Sequence, residues 1–509
     1  MRRSRIYVFA VVLLISVFTM LTQAQVNVST WHNDNWRTGQ NTGETHLATS
    51  SFASNGFGLL CKISLPSSPQ QEQIYAQPLV VVNSDGSMNV YVVTMQDNIY
   101  VFKVPATTSW NSQTCGTLQG ITPVSLLRGS LAGQYPADAC FVGLGWNQPT
   151  CSARAICPSV GALGTPVIGT NANILYVVTE SQDTNTQPEG ANCTTKQSPS
   201  TWYHYLHALD LSSSNFLNET TSGPVQIAPP QSGGAIFSSK SLLQRPGLLH
   251  LDSVPTPTSP TVYMGFSMMD GTRPNPSGWV LAFDGGNLGL AGSQLAFATT
   301  PGTPDSHRRR GGGVWAGGAG LAAGLDANSS NSIFLSTADG QYDGSVSGNY
   351  GDSYLKLSTE LTLSDSFAPA DWDYRWNQTC NNNQGYDLDL GSAGTMLVPD
   401  AVLAAPYGHI AIKGDKEGYL WVLDRTTIGG AGTGCSANCM PRTGTNPSGV
   451  LQQFTVTGTD AKTTPAFWSD GTTPFIYVGQ HNTQISQYAL NCTNPGPYLY
   501  TGGIHNICQ

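Results

Sequence analysis

The sequence is short of charge. Only 10% of its 509 residues are Asp, Glu, Lys or Arg, against about 25% in an ordinary soluble domain. A coiled coil or a solvated helical bundle needs far more of them, so both are excluded. No segment keeps a sustained helical hydrophobic period. After the first residues, no stretch is apolar enough to span a membrane. There is no Gly-x-Ser-x-Gly and no His-Glu-x-x-His, which leaves common hydrolytic chemistry without a signature. Cys-x-x-Cys-His is also missing, so covalently attached haem is excluded. Gly430-Ala431-Gly432-Thr433-Gly434 is followed by no helical pattern and is not a dinucleotide fingerprint. Aromatic residues, at 9%, are too many for a disordered acidic tail.

What is present favours strands and turns. Gly, Pro, Ser, Thr and Asn punctuate short β-branched and aromatic runs. The chain opens with Arg2, Arg3 and Arg5, a 16-residue apolar run at 6–21, and the small-residue site Thr22-Gln23-Ala24. That order reads as a secretory signal peptide over residues 1–24, cleaved after Ala24. The run is short for an uncleaved span of about 20 residues. Losing three Arg takes the net charge from −9 to about −12, a poor match for nucleic acid or anionic lipid. A periplasmic or secreted location is expected, with no membrane span after signal removal. Export permits disulfides. Cys140, Cys151 and Cys157 cluster, as do Cys435 with Cys439 and Cys492 with Cys508, and local loop-stapling bridges are expected. The odd total of eleven leaves at least one thiol free or bridged to another chain.

A unit recurs: an apolar strand after Gly or Pro, a turn, a β-branched and aromatic strand, a polar loop, and a third strand. Six copies are recognisable, at 77–81, 90–94 and 99–103; 164–168, 174–179 and 203–210; 245–249, 261–266 and 278–284; 320–325, 332–337 and 353–357; 395–399, 408–413 and 418–424; and 464–468, 474–479 and 483–490. A fourth strand is expected at 294–300, 361–367 and 450–456. Four antiparallel strands, repeated radially, make an all-β propeller, and one blade alone cannot bury its faces. Residues 25–509 are therefore expected to form a single β-propeller domain with long inter-strand loops. Segment 57–65 is expected as an outer strand preceding the first unit. A complete ring is expected to hold seven or eight blades with the C-terminal end truncated, the alternative being a ring of six or seven.

Three segments carry a family resemblance: Trp31-His32-Asn33-Asp34-Asn35-Trp36-Arg37-Thr38-Gly39-Gln40-Asn41, Tyr75-Ala76-Gln77-Pro78-Leu79, and Leu206-His207-Ala208-Leu209-Asp210. Together they resemble exported bacterial proteins with PQQ-like repeats, in the quinoprotein alcohol dehydrogenase-like superfamily. The resemblance covers most of 30–490. Enzymes of that superfamily hold pyrroloquinoline quinone, with calcium or a lanthanide, in the central funnel.

The resemblance implies site residues. Gly311-Gly312-Gly313-Val314-Trp315 is similar to the family's Gly-rich stretch, one residue shorter, which makes Trp315 the floor beneath the quinone. Thr337-Ala338-Asp339 stands where the family has a metal-binding Asn, and Asp339 is an oxygen ligand suited to a hard cation. Glu180 is the nearest match to a second metal ligand. For the catalytic base two segments compete. Asp371-Trp372-Asp373-Tyr374 has the family's letters, whereas Asp387-Leu388-Asp389-Leu390 has the better placement, so Asp387 and Asp389 are the candidates. The base would take the hydroxyl proton in alcohol oxidation. Lys416, in the stretch that ends Leu423-Asp424-Arg425, is the candidate quinone contact, with Lys413 second. Each of these residues also has a plain structural reading as a turn, core or blade-edge residue. The adjacent-Cys pair of the family's alcohol dehydrogenases is missing.

Two functions are therefore carried forward. The first is a non-catalytic propeller that binds a small molecule, glycan, protein or cell-wall ligand at its funnel. The second is a PQQ- and metal-dependent dehydrogenase of alcohols or sugars.

Overall fold

The computed structural model describes residues 26–44, 58–59, 61–65, 72–106, 124–127, 134–138, 156, 159–169, 171, 173–183, 201–212, 216–252, 259–268, 276–290, 294–303, 310–325, 330–344, 346–372, 375, 388–403, 408–431, 446–456, 460–469, 471, 473–481, 485–490 and 506–507. The cysteine clusters expected to staple loops lie outside these residues.

The described strands form six separate sheets. The first sheet runs Leu79–Val82, Met88–Val93, Asn98–Val104 and Val124–Ser125. The second is built on Val167–Gly169, Ile174–Asp183 and Thr201–Asp210, with short edge pieces on both sides. The third has Leu249–Leu251, Thr261–Met268, Trp279–Asp284 and Leu295–Ala298. The fourth has Ala322–Leu325, Asn331–Ser336, Tyr354–Ser358 and Leu363–Ala368, extended by Gly430–Ala431 in parallel. The fifth has Thr395–Leu397, Ile410–Gly414, Tyr419–Asp424 and Val450–Thr455. The sixth has Ala466–Ser469, Pro474–Val478, Ser486–Leu490 and a parallel Asn506–Ile507. Each sheet matches one repeat of the sequence. Segment 57–65 differs: residues 58–59 and 61–65 carry no strand, and Val124–Ser125 is the fourth strand of the first sheet instead.

The strands read as near-continuous apolar runs because both faces of a sheet are covered. In the second sheet, Leu175 and Val177 face one way and pack with Tyr91, Val93 and Val101 of the first sheet. Tyr176 and Val178 face the other way and pack with Val262, Met264 and Trp279 of the third. Alternation along the strand sends successive side chains to opposite faces, and here both faces are core. The same arrangement joins third to fourth sheet through Tyr263, Val280, Ile333 and Leu355. Fourth and fifth meet through Phe334, Tyr354 and Trp421, and fifth and sixth through Ile412, Val422, Phe467 and Ile476. No such core joins the sixth sheet to the first among the described residues. Helical turns are short, as in the 3-10 pieces Ala316–Gly318 and Leu390–Ser392.

One segment visits all six sheets. Val28 pairs with Val80 of the first sheet, and Ser29 O accepts from Ile168 N of the second at 2.8 Å. Asn35 Nδ2 donates to His250 O of the third at 2.8 Å. Asn35 O accepts from Ala323 N of the fourth, Trp36 O from Leu397 N of the fifth, and Thr38 O from Phe467 N of the sixth, at 2.7 to 2.8 Å. The sheets therefore deliver their innermost strands to a common axis, which is the radial layout of a propeller. Arg37 pins this axial strap. It is fully buried and donates to Trp31 O, Leu248 O, Leu321 O and Thr30 Oγ1.

Candidate functional site

The second-to-third strand connections of the sheets, and the residues that lead into their innermost strands, lie at one end of the sheets. The strap meets the innermost strands themselves. The fourth sheet contributes the connection 337–353, with Asp339 and Asp352. The fifth contributes the tight connection between Ile410–Gly414 and Tyr419–Asp424, with Asp415, Lys416 and Glu417. Asp389 stands just ahead of the fifth sheet's innermost strand.

Four of the expected residues come together here. Asp389 Oδ1 accepts from Asp339 N at 2.9 Å. Its Oδ2 takes Lys416 Nζ at 3.0 Å, with both side chains about one-fifth exposed. Lys416 N also donates to Asp389 O at 3.3 Å. Lys413 is fully buried, and its ammonium donates to Leu390 O and Gly414 O. Burial pushes Lys413 down to about 7, with Asp415 opposing the fall.

Beneath this rim lies a buried ion network that sequence reasoning did not find. Arg375 is sealed from solvent and holds three acids: Asp371 at 3.0 Å, Asp415 at 3.3 Å and Glu417 at 2.6 Å. Its Nη1 also donates to Leu388 O at 3.0 Å, which fixes the backbone next to Asp389. Burial alone would lower the guanidinium pKa, but the surrounding acids hold it above its ordinary value. Asp415 uses its other contacts to shape the turn: Oδ1 accepts from Glu417 N and Tyr419 N, and Oδ2 from Trp421 Nε1 at 2.9 Å. Asp352 is buried, accepts from Leu390 N at 3.0 Å, and is pushed up to about 8 by burial and by nearby Asp389. The available signal was scarcity. In a chain this poor in charge, Asp371 and Arg375 four residues apart were a pairing to notice.

Trp315 stands beside this cluster rather than in it. It leads into the turn Ala316–Gly318, and a Cβ on Gly317 would lie 2.7 Å from Ser392 O, so this turn touches the one after Asp389. The Trp315 side chain is partly buried against Met95, Val160, Leu163 and Leu243. Glu180 is elsewhere. It is buried in the second sheet, 3.3 Å from His204. Burial drives Glu180 well above the usual carboxylate range and His204 down to about 3, so burial favours the uncharged form of each. Asp97 is also buried and is pushed up by that burial and by Glu180. Among the described residues, no three His, Cys, Asp or Glu side chains come together to hold a metal. Asp387, the other base candidate, lies outside the described residues, as do Asp373 and Tyr374 of the competing segment.

No family model and no curated protein matches the chain. Among solved structures it is similar to the quinohemoprotein alcohol dehydrogenase ADHIIG of Pseudomonas putida HK5, at 12% identity and a TM-score of 0.47, over 89% of this chain and 57% of that one. The chain thus spans little more than half of that dehydrogenase. It is also similar to BamB of Moraxella catarrhalis, at 11% identity and a TM-score of 0.27, over 81% of this chain and 83% of that one. A third similarity is to the computationally designed Ika8 protein, at 10% identity and a TM-score of 0.26, over 84% and 98%. No helix among the described residues is long and apolar enough to cross a membrane.

Proposed function

We propose that this chain is an exported, non-catalytic binding propeller of six blades, whose loop-bearing end presents a prebuilt polar surface to a ligand. The carrying observation is that the cations at that end are already engaged by groups of the chain itself. Lys416 is committed to Asp389, Lys413 to two backbone carbonyls, and Arg375 to three acids. A quinone bearing carboxylates would need cations held in reserve, and a general base would need a carboxylate free to take a proton. The metal donors implied by the resemblance are not assembled. Asp339 belongs to the Asp389 cluster, whereas Glu180 is packed against His204 in the second sheet. The described residues therefore do not fit a calcium- or lanthanide-bound quinone. They fit a rim whose loops are tied together by a connected polar network.

The six-blade reading is supported by the strap, which contacts the innermost strand of each sheet in chain order. Export is supported by the leader-like start and by the acidic, low-charge composition.

The test is to add pyrroloquinoline quinone with calcium or a lanthanide to the purified protein. Quinone absorbance and dye reduction are then followed with mixed alcohols. Neither stoichiometric uptake nor dye reduction is expected. Uptake that is abolished by Asp389→Ala and Lys416→Ala would overturn the binding reading in favour of the dehydrogenase.

A further inference from the structure

Five junctions between successive sheets are filled by hydrophobic cores, while the sixth-to-first junction has none among the described residues. The sixth sheet shows an aromatic face there among the described residues. Phe467 points into the core shared with the fifth sheet. Its neighbours Ala466 and Trp468 therefore point the opposite way, towards the junction. Register places Tyr477 opposite Ala466 and Phe475 opposite Trp468, so three aromatic rings share that face. Trp468 is 44% exposed, and its indole stacks on Phe475 with centroids 6.3 Å apart and planes at 24°.

A cleft of about 350 Å³ opens against this face, with Gln40 and Asn41 of the axial strap as its other wall. That volume lies within the range of small-ligand pockets, about 300–1,000 Å³. No lining residue is charged. Gln40 spends its amide nitrogen on Ser469 O at 3.4 Å, and Asn41 spends its amide oxygen on Gly43 N at 3.1 Å. Among the described residues this leaves the Gln40 carbonyl oxygen as an acceptor and the Asn41 amide nitrogen as a donor, neither with a partner. An aromatic platform thus faces one acceptor and one donor.

We propose that this cleft binds a neutral saccharide. A carboxylate would satisfy only the Asn41 donor, and an ammonium only the Gln40 acceptor, whereas a hydroxyl both donates and accepts. A purely apolar ligand would bury both amides unpaired, which costs free energy. A sugar ring has a C–H face to lay on the Trp468 indole and hydroxyls at its edge to reach the amides. The proposal rests on the reading of the chain as a binding protein but places the ligand at the blade junction, in a cleft that neither Lys416 nor Asp389 lines. Quinone uptake at the loop-bearing end would overturn that reading and leave the cleft's titration to be judged on its own result.

The experiment is isothermal titration of the full chain with cellobiose, maltose and N,N′-diacetylchitobiose, with glucuronate as the charged control. Saturable binding of at least one neutral disaccharide is expected. Trp468→Ala should weaken it by about tenfold, and Trp468→Tyr, which keeps a platform, should hold it within about threefold. Trp468 is exposed, and unchanged thermal unfolding of both variants shows that the fold is intact. The proposal is overturned if no neutral disaccharide gives saturable heat, if glucuronate binds as well, or if Trp468→Ala binds like the parent. It is also overturned if sedimentation shows a dimer that Trp468→Ala dissolves, because a second copy would then be the occupant.

Discussion

Arg375 Nη1 and Asp415 Oδ2 stand 3.3 Å apart, and neither side chain has any exposure. Removing one member of such a pair strands the other, at a cost of about 3–5 kcal/mol. Asp415→Ala should lose that much, because it also leaves Trp421 Nε1 without its acceptor. Asp415→Asn keeps an acceptor at the same place and should lose clearly less. Urea or guanidinium unfolding of the three proteins checks the order. Equal stability of Asp415→Ala and the parent would mean that the network does not support the fold.

Asp352 should give the fold a pH dependence of unusual sign. Burial and the adjacent Asp389 raise its folded pKa from 3.8 to about 8. The folded state therefore binds this proton more tightly than the unfolded state. Its contribution is fully present below about 3.8 and is lost as pH rises through about 8. Lys413 acts oppositely. Its folded pKa falls from 10.5 to about 7, so its contribution is present above about 10.5 and is lost as pH falls through about 7. Unfolding midpoints measured across pH 4–8 should decline more in the parent than in Asp352→Asn. Matching profiles would remove Asp352 as the cause.

The strands were legible and the ion network was not, for a physical reason. A strand such as Ile174–Asp183 announces itself through consecutive β-branched and aromatic residues. Its neighbours on both faces merely make that run longer. The strand expected at 57–65 shows the limit, since residues 58–59 and 61–65 carry no strand despite their apolar letters. A charge cluster assembled from Arg375, Asp415 and Asp352 spans two sheets, and no spacing along the chain encodes that meeting. Asp389, Asp339 and Lys416 were singled out together, and the structure does join them. The ion pair between Lys416 and Asp389 was invisible in the sequence. So was the axial position of 28–40, although its letters were recognised as distinctive.

The run Gly311-Gly312-Gly313 needs no ligand to explain it. Gly311 and Gly312 have φ of 68° and 71°. A Cβ on Gly311 would lie 2.3 Å from Asp339 O and 2.7 Å from Gly340 Cα. Backbone cannot retreat as a side chain can, so Gly311→Ala should cost about 3 kcal/mol or more. Gly471 is the control, because its φ is 89° but nothing lies within 4 Å of an added Cβ. Gly471→Ala should cost only the left-handed penalty of about 1–2 kcal/mol. If chemical unfolding shows equal losses, close backbone approach is not what requires glycine at 311.

The axial strap should fail as a unit when Arg37 is changed. Every acceptor of Arg37 is neutral: the carbonyls of Trp31, Asp34, Leu248 and Leu321 and the Thr30 hydroxyl. Burial lowers its pKa to about 10, which still leaves it charged at neutral pH. Arg37→Met keeps an apolar stem of similar reach but orphans several buried carbonyls, so a loss of about 3–5 kcal/mol is expected. Location distinguishes this from general weakening. The amides of Ala323, Leu397 and Phe467 donate to Asn35, Trp36 and Thr38 of the strap. In Arg37→Met these three should exchange hydrogen faster, while the amide of Val422, paired within the fifth sheet to Ile412, keeps its protection. Uniform loss of protection across all sheets would mean that the strap has no local stability of its own and that Arg37 acts only through the whole fold.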